Sequence, residues 1–236
     1  MPELPPPLPP GERTVGQLVG ETIRAYGANF WRALPLGAPL ALIDQASVHA
    51  SSAAQIVIFY AGGPLIIAGF VWACALIHKV PLSWSAVTVA TVVYLPFPLL
   101  RSIYILPAVA WFALYGLAVP ATLVERLRPR AAFERGLALG RADYSHALGS
   151  LAALVIVVGV GEITLTTLLR TQGETSARVA LVLADVVLSP LLYLGGAMLY
   201  FDQAARVGLP RRGRRTRGGE LAGERPGERP AAGSER

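Results

Sequence analysis

The chain has 236 residues, 53% of them hydrophobic and only 15% charged, with a mean hydropathy of +0.50. A soluble domain carries about 25% charged residues, so this balance excludes an ordinary globular enzyme and points to a membrane protein. The net charge of +6 lies mostly in the tail, where nine arginines and four glutamates stand from Arg206 onward; a pI of 9.9 built this way gives no basic face on a folded module, and no nucleic-acid partner is expected.

The opening stretch MPELPPPLPPGERT has six prolines in its first ten residues and neither a basic leader nor an apolar core, so it does not read as a secretory signal. Residues 1–13 are expected to form a disordered, proline-rich arm. An amphipathic helix follows from Thr14 to Arg32, with Val15, Leu18, Val19, Ile23, Tyr26 and Phe30 on one face and Gln17, Glu21 and Arg24 on the other. Trp31 and Tyr26 suit the headgroup region.

Six apolar spans are expected next, at Ala33–Ser51, Ala54–Ile77, Ala86–Leu100, Ser102–Val124, Leu148–Leu169 and Val179–Phe201. Pro96, Pro98 and Pro107 crowd the turn between the third and fourth, which predicts a tight hairpin with kinked arms. Between the fourth and fifth lies VERLRPRAAFERGLALGRADYSHALG, read as a second interfacial helix with Phe133, Leu137, Tyr144 and Leu148 on its apolar face. Its Arg126, Arg128, Arg130, Arg135 and Arg141 are candidate lipid-headgroup anchors, with stems over lipid and guanidinium groups in water.

The fold expected for residues 14–206 is therefore an all-α integral membrane protein with six transmembrane helices and two interfacial amphipathic helices. With both ends cytoplasmic, 18 arginines and lysines lie inside against Arg101, Arg170 and Arg178 outside. That predicts a multi-pass protein of the cell membrane. Residues 207–236 read as a disordered, arginine-rich cytoplasmic tail, in which Arg211–Arg217 would attract anionic lipid at about 1 kcal/mol per arginine.

Signatures of catalysis are missing from the sequence: it has no HExxH, GxSxG or P-loop, and a single cysteine, Cys74, in an apolar run. His49, His78 and His146 are far apart, so no metal or other cofactor is expected. The costly residues are carboxylates inside spans, since a charge at a helix centre costs roughly 2.5–3.5 kcal/mol. Glu162 lies eight residues before Arg170 and Asp185 seven after Arg178. At about 1.5 Å per residue both sit roughly 10–12 Å from the outer helix ends. Asp44 lies in the outer half of the first span. Asp44, Glu162 and Asp185 are thus a candidate intramembrane polar site. Two readings stand: a small polar cavity open to the outside for a proton, cation or lipid headgroup, or packing carboxyls that are protonated or bonded to hydroxyls such as those of Thr164 and Ser189. Gly16/Gly20 and Gly136/Gly140 have the spacing of close helix contacts.

Three passages carry a family likeness: TVGQLVGETIRAYGANFWRAL (14–34), VPATLVERLRPRAAFERGLALGRADYSHALGSLAAL (119–154) and PLLYLGGAMLYFDQAAR (190–206). Together they resemble the membrane domain of some bacterial glycerophosphodiester phosphodiesterases and related stand-alone six-span proteins. The resemblance implies fold, a bacterial membrane and location, but not diesterase activity, because the soluble catalytic domain has no counterpart here. The function expected is non-enzymatic: a lipid-associated module, or an accessory subunit with a second membrane protein as partner. The alternative is a small transporter or proton-coupled permease using the three carboxylates.

Overall fold

The computed structural model describes residues 9–170 and 173–208, and among them every regular element is helical. Pro10–Glu12 form one 3-10 turn, and α1 runs from Val15 to Ala28. Its start is fixed by a capping box: the Thr14 hydroxyl accepts from the Gln17 N–H, and the Gln17 side chain accepts from the Thr14 N–H at 2.8 Å. Leu18, Thr22 and Tyr26 are the buried stripe, while Ile23 turns outward. Thr22 is tolerated there because its hydroxyl donates to the Leu18 carbonyl.

The expected first span is not a continuous helix. Phe30–Ala33 form a four-residue α2, Leu34–Gly37 a 3-10 turn, and Ala38–Ser47 the ten-residue α3. Pro35 and Pro39 sit in first-turn positions, where a missing N–H is harmless, so each starts a new helix instead of continuing an old one. At about 1.5 Å per residue α3 covers roughly 15 Å, half a bilayer core. The broken segment nevertheless runs antiparallel to α4 (Ser52–His78). Ile43 fills the space beside Gly62, Leu36 lies near Gly69, and Asn29 shares a cavity with Leu76 and Ile77.

Five stretches are long and apolar enough to cross a membrane: Ser52–His78, Trp84–Ile103, Ile105–Val124, Tyr144–Leu169 and Arg178–Val207. They make this a multi-pass, all-α protein. Most are jointed. The second is α5 (Trp84–Tyr94) plus α6 (Phe97–Ile103), and the third is α7 (Ile105–Tyr115) plus α8 (Ala118–Val124). The proline-rich hairpin is as expected, with Pro98 opening α6 and an extended Tyr104 separating α6 from α7. After α9 (Pro129–Ala142) and α10 (Tyr144–Arg170), the last stretch divides at Ser189 into α11 (Glu174–Leu188) and α12 (Pro190–Gly208).

Small residues set the close contacts. A Cβ at Gly37 would lie 2.3 Å from the Val186 carbonyl oxygen, so only glycine lets the turn before α3 rest on α11. On α9 the buried side is Ala132, Gly136, Leu139 and Gly140, with Phe133 and Leu137 half-buried beside it. Gly136 meets the backbone of Ala118 and Gly140 that of Ala113 and Leu114. That spacing therefore packs α9 onto α7 and α8. Gly16 and Gly20 face open space. At the centre, Gly196 on α12 admits the edge-to-face pair Phe70–Phe112, centroids 5.0 Å apart.

Polar contacts tie the two ends of the bundle. At one end Arg13 pairs with Asp202 at 3.2 Å, and His146 lies 3.5 Å from the other oxygen of Asp202. Arg206 pairs with Asp143 at 2.8 Å and donates to the Arg13 carbonyl. Residues 13 and 206 therefore meet. At the opposite end Arg178 reaches His49 at 3.1 Å.

Candidate functional site

The three intramembrane carboxyls come from three elements and converge. Gly37 seats the start of α3 on α11, which directs Asp44 toward Asp185. Gly161 accepts the Leu188 side chain and so draws α10 onto α11, which places Glu162 beside Asp185. The Glu162 and Asp185 side chains are within hydrogen-bonding reach of each other, and both feel the charge of Asp44. A hydrogen bond between two carboxyl groups needs a proton on one of them. Asp185 is only 1% exposed, and its Oδ2 has no hydrogen-bond partner.

A fourth charged group completes the cluster. The Pro96–Pro98 joint turns α6 back over the bundle, and Arg101 faces Asp44 and Glu162. Its guanidinium carbon also stands 4.1 Å above the Phe59 ring, a cation–π contact. Sequence reasoning counted Arg101 only as an orienting charge at a span end.

These groups cap a cavity of about 290 Å³. Asp44, Arg101 and Glu162 line one end of it, with Tyr94 and Tyr193. The rest of the wall is apolar, including Phe70, Val93, Phe112, Leu154 and Val158. Asp185 stands behind Glu162 and does not line the cavity. Tyr94 donates to the Phe59 carbonyl at 2.7 Å, but the buried Tyr193 hydroxyl has no partner. The hydroxyls expected to satisfy the carboxyls do not: Thr164 donates to the Val160 carbonyl and Ser189 to the Asp185 carbonyl. Asp44 and Glu162 line the cavity, and Glu162 and Asp185 face each other.

The five loop arginines do not gather at one point. Arg135 is bound to Glu125 at 2.9 Å, and Glu125 also accepts from Tyr200 at 2.8 Å, so this arginine fastens α9 to α12. Arg130 lies 3.4 Å from Glu134 on the exposed side of α9. Arg126 occupies a left-handed turn with φ 53°, and Arg126, Arg128 and Arg141 are exposed. Tail residues Arg211–Arg217 lie outside the described residues. Asp202 is an acid that sequence reasoning left without a role; it is fully buried between Arg13 and His146. Among the described residues no three His, Cys, Asp or Glu side chains form a metal-binding group.

No protein-family model matches the chain, and no curated protein or solved structure matches it.

Proposed function

We propose that this protein is a non-enzymatic membrane module that holds a lipid-like amphiphile inside its helical bundle. The observation that carries this reading is the cavity itself, apolar along its length and charged at one end. Pockets for small molecules are concave, mostly apolar and furnished with a few convergent polar groups, at about 300–1,000 Å³. This one lies near the lower end of that range. Filling it is the test. Ala90 is buried and lines the cavity, so Ala90→Phe places a ring in the space. Purified from its own membrane, the variant should carry less than half the lipid of the parent after the same detergent wash. Equal lipid on both would exclude the cavity as the binding place.

In this reading the chain crosses the cell membrane six times, and the first crossing is the broken segment from Phe30 to Ser47. Support comes from the meeting of Arg13 with Asp202 and Arg206 at one end of the bundle, which requires an even number of crossings. The 18-to-3 distribution of basic residues supports a cytoplasmic position for that end. The exposed Arg126, Arg128 and Arg141 then face the inner leaflet and its anionic headgroups. The likeness to phosphodiesterase membrane domains is consistent with such a module and brings no diesterase chemistry with it. An accessory role beside a second membrane protein is compatible with lipid holding.

The convergence of three carboxyls favours a second reading, a proton-coupled permease. Its test is substitution of Glu162→Gln with Asp185→Asn. Loss of a proton-dependent uptake would support it, and uptake unaffected by both changes would remove it.

A further inference from the structure

We propose that the cavity selects a single-chain amphiphile with a cationic amine head, seated with its nitrogen among Asp44, Glu162 and the Tyr193 hydroxyl. This rests on the reading that the cavity holds a lipid-like amphiphile, and it names the head that the polar end recognises.

Charge gives the first argument. Two carboxyl side chains, Asp44 and Glu162, line the cavity against one guanidinium, that of Arg101. Arg101 offsets one of them and has its face against Phe59. The carboxylate left without a counter-charge stands beside a mostly apolar wall, where a lone charge is costly. A monocationic head neutralises it. A carboxylate head would double it, and an alcohol would leave it standing.

Hydrogen bonding gives an independent argument. Tyr193 is 6% exposed, lines the cavity, and its hydroxyl lacks a partner. A buried polar atom without a partner is rare in native proteins and asks for an explanation. An ammonium group offers three N–H donors and no acceptor. Asp44, Glu162 and the Tyr193 oxygen all line the cavity and can each accept from such a head. The volume of about 290 Å³ accommodates one alkyl chain.

The test uses the full chain in phosphatidylcholine nanodiscs at pH 7, with radiolabelled dodecylamine, dodecanol and dodecanoate as probes. Empty nanodiscs give the partitioning to be subtracted. The expected result is saturable binding, with dodecylamine at least tenfold tighter than dodecanol and dodecanoate weakest. Asp44→Asn with Glu162→Gln should erase the preference for the amine while dodecanol still binds, which also shows that the variant is folded. Tyr193→Phe should weaken the amine threefold or more and leave dodecanol unchanged. Equal binding of amine and alcohol, or a preference for dodecanoate, overturns the amine head and leaves the cavity reading intact. Saturable binding of none of the three overturns both.

Discussion

Asp143 shows how one carboxylate can be held ionised at the edge of a membrane protein. Burial works against its charge, but the His146 N–H, the Ser145 hydroxyl and the Arg206 guanidinium outweigh it, so the carboxyl is held below its ordinary value. A group lowered on folding stabilises the fold above its unfolded value, about 3.9, and loses that contribution as pH falls through the folded value. Acidification from pH 5 to pH 3 should therefore lower the unfolding temperature of the parent more than that of Asp143→Asn; equal losses would contradict this. Asp202 is fully buried and has two basic neighbours. Asp202→Ala leaves Arg13 and His146 facing a vacancy and should cost about 3 kcal/mol, read as a lowered unfolding temperature in detergent. The carboxyls of the candidate site were legible because an acid inside an apolar run stands out. Arg101 was not, since a basic residue at a span end can reach outward to water or fold inward, and only the proline joint decides. Tyr193 was hidden because a tyrosine in an apolar helix signals nothing until its hydroxyl is seen unpaired.

Among the elements, equal spacing had unequal consequences. Gly136/Gly140 press against the backbone of α7 and α8, whereas Gly16/Gly20 face open space. A sequence offers the spacing but not the neighbour. Gly37→Ala forces a methyl into the Val186 backbone and should destabilise by about 1–3 kcal/mol. Gly16→Ala should be neutral or mildly stabilising, within about 1 kcal/mol, because alanine is the better helix former and nothing obstructs it. Thermal unfolding of the pair in one detergent checks both signs. The span limits were largely legible from hydropathy, which averages over joints. The joints themselves were not, apart from the proline hairpin. Pro35 and Pro39 divide the first segment into pieces too short to span, yet an apolar window reads across them.

For the whole molecule, the cavity lies between the two long unbroken helices α4 and α10 and several jointed elements. α6, α7 and α12 line it, and each begins or ends at a joint inside an apolar stretch. Interrupted backbone at membrane depth is tolerated where it is enclosed by protein or lines a cavity. Sidedness has a direct check. With Cys74 replaced by alanine, Ser51→Cys should react with an impermeant maleimide added outside intact cells. Glu12→Cys should react only after permeabilisation. Labelling of both from the same side would mean that the broken segment does not cross.

The central claim is that the bundle holds an amphiphile, and native mass spectrometry of the parent protein, released from its own membrane with minimal detergent, tests it most directly. The account predicts one bound species of single-chain mass per protein, retained at collision energies that strip surface lipid. A protein that sheds all lipid at low energy, or that emerges with a stoichiometric protein partner and nothing in its cavity, would contradict it.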